Sequence, residues 1–379
     1  MPTAYTPGLT IAADTVVRRE RLLPIRGEVL VAAGQVVSAD TPVARAMRPG
    51  NLTSVKVSER LGVDPPDLPS VMVKTQGQPV EAGEIIAETR GLFGLFHNVA
   101  ESPVKGTIEH ISPVSGYVGI REEPVPLQTV AHISGRVAQI IEGVGAVIES
   151  RAALVQGIFG VGGERRGALR MAARGPDEPL DSGLVGDRAR GAVLVGGAMA
   201  DSASLSAAAR AGAAGVVVGG VADVDLRAFV GYDIGVAVTG QEAVPFTLIL
   251  TEGFGRVAML RRTFDLLASL EGKQASINGA TQIRAGVIRP EIIVALGKPP
   301  ADDTPEPLPR AAESEGQLAR GAQVRLIREP YFGRLAVVVA LPAEPRQIET
   351  EARVRVVEVD LGGGRRVMVP RANVEMVHG

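Results

Sequence analysis

Three glycine-bearing stretches are the best candidates for chemistry in this chain: Gly196-Gly197, Gly219-Gly220 and Thr251-Glu-Gly253-Phe-Gly255, the last followed by Arg256. Each follows or ends a short apolar run that reads as a strand. Ligands of open parallel sheets settle outside the carboxyl ends of the strands, where loops enter helices. Glycine lets a ligand reach backbone N–H groups, and a helix N-terminus favours an anion. One reading is therefore a small-anion site with Gly196, Gly197, Gly219, Gly220, Gly253 and Gly255 as backbone donors and Arg256 adding charge at the start of its helix. Paired glycines also suit tight corners in an alanine-rich, closely packed domain. The sequence leaves both readings open.

Other chemistry is sparse. Gly160-Val-Gly162 begins like a dinucleotide fingerprint, but Arg165 stands at the third glycine position and the fingerprint fails. What is left is a glycine loop bearing Arg165 and Arg166 and entering a helix, either an anion cradle or a turn with solvated charges. His97, His110, His132 and His378 have no metal-ligand spacing and are expected at the surface or half-buried. Asp223 and Asp225 are explained by helix capping. No nucleophile elbow, Walker lysine loop or His-Glu-x-x-His pair is present.

The absence of cysteine excludes disulfides, thiolate metal sites and thiol nucleophiles. A formal charge of −2 gives no global electrostatic case for nucleic acid or an anionic membrane. No apolar run is long enough to cross a bilayer. The opening Met1-Pro-Thr-Ala-Tyr-Thr-Pro7 lacks the basic and apolar regions of a signal peptide. A soluble cytoplasmic protein with no cofactor, no metal and no membrane insertion is the expectation.

The elements that must position these residues change character along the chain. Residues 1–150 read as an all-β module of short strands and glycine turns, with Gly27-Glu-Val-Leu-Val-Ala-Ala-Gly34 and Val71-Met-Val-Lys-Thr-Gln-Gly77 opening two related stretches. Residues 151–297 alternate apolar strands with amphipathic helices, the pattern of a mostly parallel α/β domain. Within it, Asp201 and Ser202 supply N-cap chemistry for a helix to about residue 211, a strand is expected over 246–250 and a long helix over about 256–270. Residues 298–320 are a Pro-rich acidic linker, and a small β domain fills 321–379.

Two of these parts resemble known folds. The glycine-spaced units of residues 20–150, among them Val104-Lys-Gly106-Thr-Ile-Glu-His-Ile111 and Ile133-Ser-Gly135-Arg-Val-Ala-Gln-Ile140, resemble the barrel-sandwich hybrid of biotinyl and lipoyl domains. Carriers of that fold need a lysine on a hairpin tip, flanked by methionines in biotin carriers. Lys74 and Lys105 lack such flanks, so no prosthetic group is carried over. Gly321-Ala-Gln-Val-Arg-Leu-Ile-Arg-Glu-Pro-Tyr-Phe-Gly333-Arg-Leu-Ala-Val-Val-Val339 resembles the KOW motif of transcription elongation factors and certain ribosomal proteins, which implies an SH3-like β-barrel. Glu329 and Ala336 stand where glycine is common in that motif.

Two docking-type β modules flanking a core with no assembled catalytic set favour a non-enzymatic interaction or adaptor protein over an enzyme. The KOW resemblance implies a transcription or translation assembly as its partner, bound through Arg328, Tyr331, Phe332 and Arg334. A protein partner leads, nucleic acid at the C-terminal barrel comes second, and a small anion at the glycine loops is the alternative for the α/β domain.

Overall fold

The computed structural model describes residues 9–90, 97–186, 189–232, 239–282, 288–297, 318–326, 330–331, 334–342, 344–347 and 353–376. Among the described residues strand makes up 46% and helix 14%, so β structure in several sheets dominates, the middle of the chain included. No described helix is long and apolar enough to cross a membrane.

One strand joins the N-terminal module to the middle of the chain. Gly145–Gln156 is buried along most of its length on both faces. One edge pairs antiparallel with Ile11–Leu22 over its whole length, Leu22 opposite Gly145 and Ile11 opposite Val155. The other edge is divided. Its first half pairs with Gly135–Ile141 of the N-terminal module, and its second half pairs with Glu291–Ala295 of the central sheet. Residues 150 and 151, where the composition changes, thus lie inside a single continuous strand. The core follows the same seam, since Val37, Val43, Ile133, Val137 and Ile148 pack in one cluster with Leu154 and Ile293.

Within the N-terminal part, Pro42–Arg48 pairs with Val125–Val130. The intervening residues fold as an insert with its own four-stranded sheet, whose core includes Val55, Ile86, Ile108 and Ile120. The two glycine-spaced stretches of the sequence therefore fall in different units, the first in the outer module and the second in the insert.

In the central sheet, Glu164–Met171, Val193–Val195, Gly215–Val221 and Thr247–Phe254 run parallel to one another in that order. Alternating residues go to opposite faces, as the strand period requires. Val216 and Val218 join Leu205, Ala208 and Leu226 from the helices Ser202–Ala211 and Asp223–Val230. Val217 joins Phe264 and Leu267 from the helix Arg261–Ser269 on the other face. The first of these helices starts where the sequence places it. Asp201 accepts the Ser204 N–H, Ser204 bonds back to the Asp201 N–H, and this box holds the Asp201 carboxyl below the usual range.

Two expectations fail here. Residues 164–171 are a strand and not a loop entering a helix. The charges in Glu164-Arg-Arg hid its alternation: Arg165 donates to the carbonyls of Val244 (2.6 Å) and Pro245, while Arg166 pairs with Asp40. The helix expected over 256–270 begins only at Arg261, because the strand before it runs on to Phe254 and the chain then crosses the glycine-bearing sheet edge in extended form.

The C-terminal part is a five-stranded antiparallel sheet in the order Arg366–Pro370, Val356–Asp360, Leu335–Ala340, Gln323–Leu326, Val374–Met376. Its two edge strands are joined by the three-residue 3₁₀ turn Arg371–Asn373. So short a connection between opposite edges forces the sheet to curl around its core of Val324, Leu326, Val338, Val357, Val359 and Val374.

Candidate functional site

The structure brings the six expected glycines together at one edge of the parallel strands. Gly220 lies opposite Gly253, and the Gly219 N–H donates to the Gly197 carbonyl at 2.7 Å. The N–H groups of Gly196, Gly220 and Gly255 likewise donate to Val217, Ala198 and Val221. Four of the six donors are thus engaged within the chain. The close approach that glycine permits is made by the protein's own backbone. A Cβ at Gly197 would collide with the Gly175 and Glu178 carbonyls, and one at Gly219 with that of Val257. Arg256 lies exposed on the covering stretch, five positions before Arg261, and not at a helix N-terminus.

The covering stretch ends at a buried carboxylate that sequence reasoning passed over. Glu252 accepts the Leu260 N–H with one oxygen (3.1 Å) and Arg325 of the C-terminal sheet with the other (2.5 Å). Arg325 is 3% exposed and also pairs with Glu375 at 2.8 Å on the neighbouring strand, where the two residues are in register. Arg289 completes the chain of charges at 2.9 Å from Glu375. Arg325 Nε has no hydrogen-bond partner among the described residues. The network fastens the C-terminal sheet to the central one. A residue with this role shows in the sequence only as an arginine at a buried position of an apolar strand, Val324-Arg-Leu326.

Of the residues expected to bind a partner, Tyr331 is half-buried against the C-terminal core, with the Arg365 guanidinium 5.9 Å from its ring centroid. Arg334 is exposed. Arg328 and Phe332 lie outside the described residues.

A second cluster surrounds His132, which is 4% exposed, contrary to the surface or half-buried position expected of it. It holds a left-handed φ of 63°, the one described non-glycine residue to do so. Its N–H donates to the Ala39 carbonyl (2.8 Å), and its own carbonyl accepts the Ser276 hydroxyl. Nδ1 stands 3.8 Å from Glu164, itself held by two hydrogen bonds from Arg21, and Nε2 has no partner among the described residues. Burial holds the imidazole below its usual pKa, partly opposed by the Glu164 charge. Burial, the largest single influence, raises Glu164, but the Arg21 hydrogen bonds together with the nearby His132 and Arg21 charges leave this carboxyl below its usual range. Nothing in Ala131-His-Ile-Ser134 signals this conformation.

Beside His132, the turn at 38–40 and residues 133–134 face strands Gln274–Asn278 and Glu291–Ala295 across a groove of about 740 Å³. Among the described residues no three His, Asp or Glu side chains converge as metal ligands. No protein-family model matches this sequence, and no curated protein matches it either.

Removing one partner of a buried ion pair leaves the other charge uncompensated, at about 3–5 kcal/mol. Urea unfolding of Arg325→Ala is expected to show a loss of that order. A loss below about 1 kcal/mol would mean that Glu252 and Glu375 have other partners in solution.

The His132 environment gives a pH test. Its folded pKa lies below the unfolded value of about 6.5, so the unfolded chain takes up the proton first. Stability is complete above that value and falls as the pH drops through it, while Glu164 contributes only at more acid pH. The melting temperature of the native protein is expected to fall between about pH 7 and about pH 5. His132→Asn, which tolerates the left-handed backbone, should flatten that slope. An unchanged slope would exclude His132 as its source.

Proposed function

We propose that this chain is a non-enzymatic adaptor. In this reading its N-terminal strands form a barrel-sandwich hybrid, its middle a mostly parallel α/β domain, and its last five strands an SH3-like barrel of KOW type that docks an acidic protein. The observation that carries the proposal is an uncovered apolar row on the outward face of that last sheet. Leu335 is 41% exposed, Val337 42% and Met368 45%. Register places them on one face, since Val337 lies opposite Asp360 and Asp360 opposite Arg366, with Met368 two residues further along.

The row continues a face already used for docking. Leu335 is in register with Arg325, which is buried against Glu252 of the central sheet. Exposed apolar strand residues beside a packed interface mark a binding surface more than a solvated one. Arg334, Arg346, Arg365 and Arg366 are all exposed around the row, and Arg346 reaches the Met368 sulfur at 3.9 Å. Glu358 and Asp360 are half-buried within it, and Asp360 accepts the Gly362 N–H. An apolar centre with a cationic rim matches an acidic surface carrying an apolar anchor.

Nucleic acid is the weaker fit. Tyr331 is half-buried under Arg365 and so not presented for base stacking. The KOW resemblance makes a component of a transcription or translation assembly the first partner to try.

A photo-crosslinking residue at Val337, with Val224 on the central helix as an exposed control, tests the reading in native lysate. The expected outcome is one discrete protein adduct at 337, absent at 224, resistant to ribonuclease and lost when Arg334 and Arg366 become Glu. An adduct that ribonuclease abolishes, or equal labelling at 224, would overturn it.

A further inference from the structure

Two arginines and two carboxylates surround His132 where the N-terminal module meets the central sheet. Glu164, Asn278 and Glu291 lie opposite one another on three adjacent strands, so both carboxylates rise from one face of that sheet. Arg21 and Arg19, two positions apart on Ile11–Leu22, meet them from the other side of the seam. Arg21 holds Glu164 through both terminal nitrogens, and Arg19 pairs with Glu291. The charges of all four act on the imidazole, and they balance.

A neutral ring fits this cage and a charged ring does not. An imidazolium donates through both of its nitrogens. Nε2 has no acceptor among the described residues. Nδ1 stands 3.8 Å from Glu164, beyond hydrogen-bond reach of a carboxylate that Arg21 already holds. The side chain is 5% exposed, so bulk water does not reach it. A proton taken up here adds a fifth charge to a balanced set, buried and unpaired, and moving the ring outward relieves it.

What moves with the ring is the seam. His132 holds a φ of 63°, which a non-glycine residue keeps only where its surroundings fix it. Its N–H donates to the Ala39 carbonyl, its carbonyl accepts the Ser276 hydroxyl, and the Ser134 hydroxyl accepts the Ala39 N–H. The turn at 38–40 is thereby tied to His132, and His132 to the strand Gln274–Asn278. Among the described residues the turn's other polar link to the sheet is the Asp40 pair with Arg166, in which the Asp40 side chain is 76% exposed. An ion pair so open to water holds little by itself.

We infer that His132 is a proton-operated latch: mild acid releases the turn at 38–40 and residues 131–134 from the strand Gln274–Asn278 by a local opening. This inference does not rest on the adaptor reading. Amide exchange of the full chain at about pH 7.5 and about pH 5, corrected for the intrinsic pH dependence of exchange, reads the latch. The Ala131 and His132 amides, which donate to the Thr41 and Ala39 carbonyls, are expected to lose about tenfold in protection at the lower pH. The loss should not depend on low concentrations of denaturant, the mark of a local opening. It should also run with protonation of the His132 ring followed by NMR in the unsubstituted chain. His132→Asn accepts the left-handed backbone and leaves Glu164 and Glu291 in place, so its protection at 131 should be the same at both pH values. Unchanged protection in acid would overturn the latch, as would a loss that persists in His132→Asn or proceeds while the ring stays neutral. A loss with the denaturant dependence of residues 146–149 would mean that the whole fold opens, and would overturn it equally.

Discussion

A strand buried on both faces must still satisfy the hydrogen bonds of both its edges, and Gly145–Gln156 does so only with partners from two parts of the chain. One edge is complete with Ile11–Leu22. The other takes Gly135–Ile141 from the N-terminal module and Glu291–Ala295 from the central sheet. Neither part can leave without exposing backbone groups of the strand they share. The core follows the hydrogen bonds, because Leu154 and Ile293 pack with side chains of the outer module. The groove beside His132 opens where the two parts meet along this shared edge.

The C-terminal sheet is attached by a different force. Arg325, Glu375, Glu252 and Arg289 form a buried chain of charges, with little apolar continuity between the two cores. Replacing such pairs by apolar residues of the same volume is often neutral or stabilising, whereas removing a single partner is strongly destabilising. The remaining outward face of that sheet carries Leu335, Val337 and Met368.

Much of this was legible where local chemistry decides structure. The strands and turns of residues 321–376 follow from short apolar runs, the three glycines at 362–364 and the turn after Pro370. The Asp201 cap and the convergence of six glycines on one sheet edge also follow from spacing. What could not be read was what covers those glycines: the extended stretch after Gly255 is set by tertiary contacts such as the Met259 N–H to the Pro176 carbonyl. Glu252 and Arg325 are separated by 73 positions, and no local pattern links them. The shared strand hid for a related reason. Its two halves carry ordinary strand composition, and only pairing partners more than a hundred residues apart show that they are one element.

Native-state hydrogen exchange along that strand tests the account most directly. The amides of residues 146–149, paired toward the N-terminal module, and of 152–155, paired toward the central sheet, are expected to exchange with the same opening free energy, equal to that of global unfolding. Denaturant should lower both together. If residues 152–155 stay protected while residues 146–149 open at a markedly lower free energy, the two parts unfold separately, and the strand is a point of contact and not the element that makes them one unit.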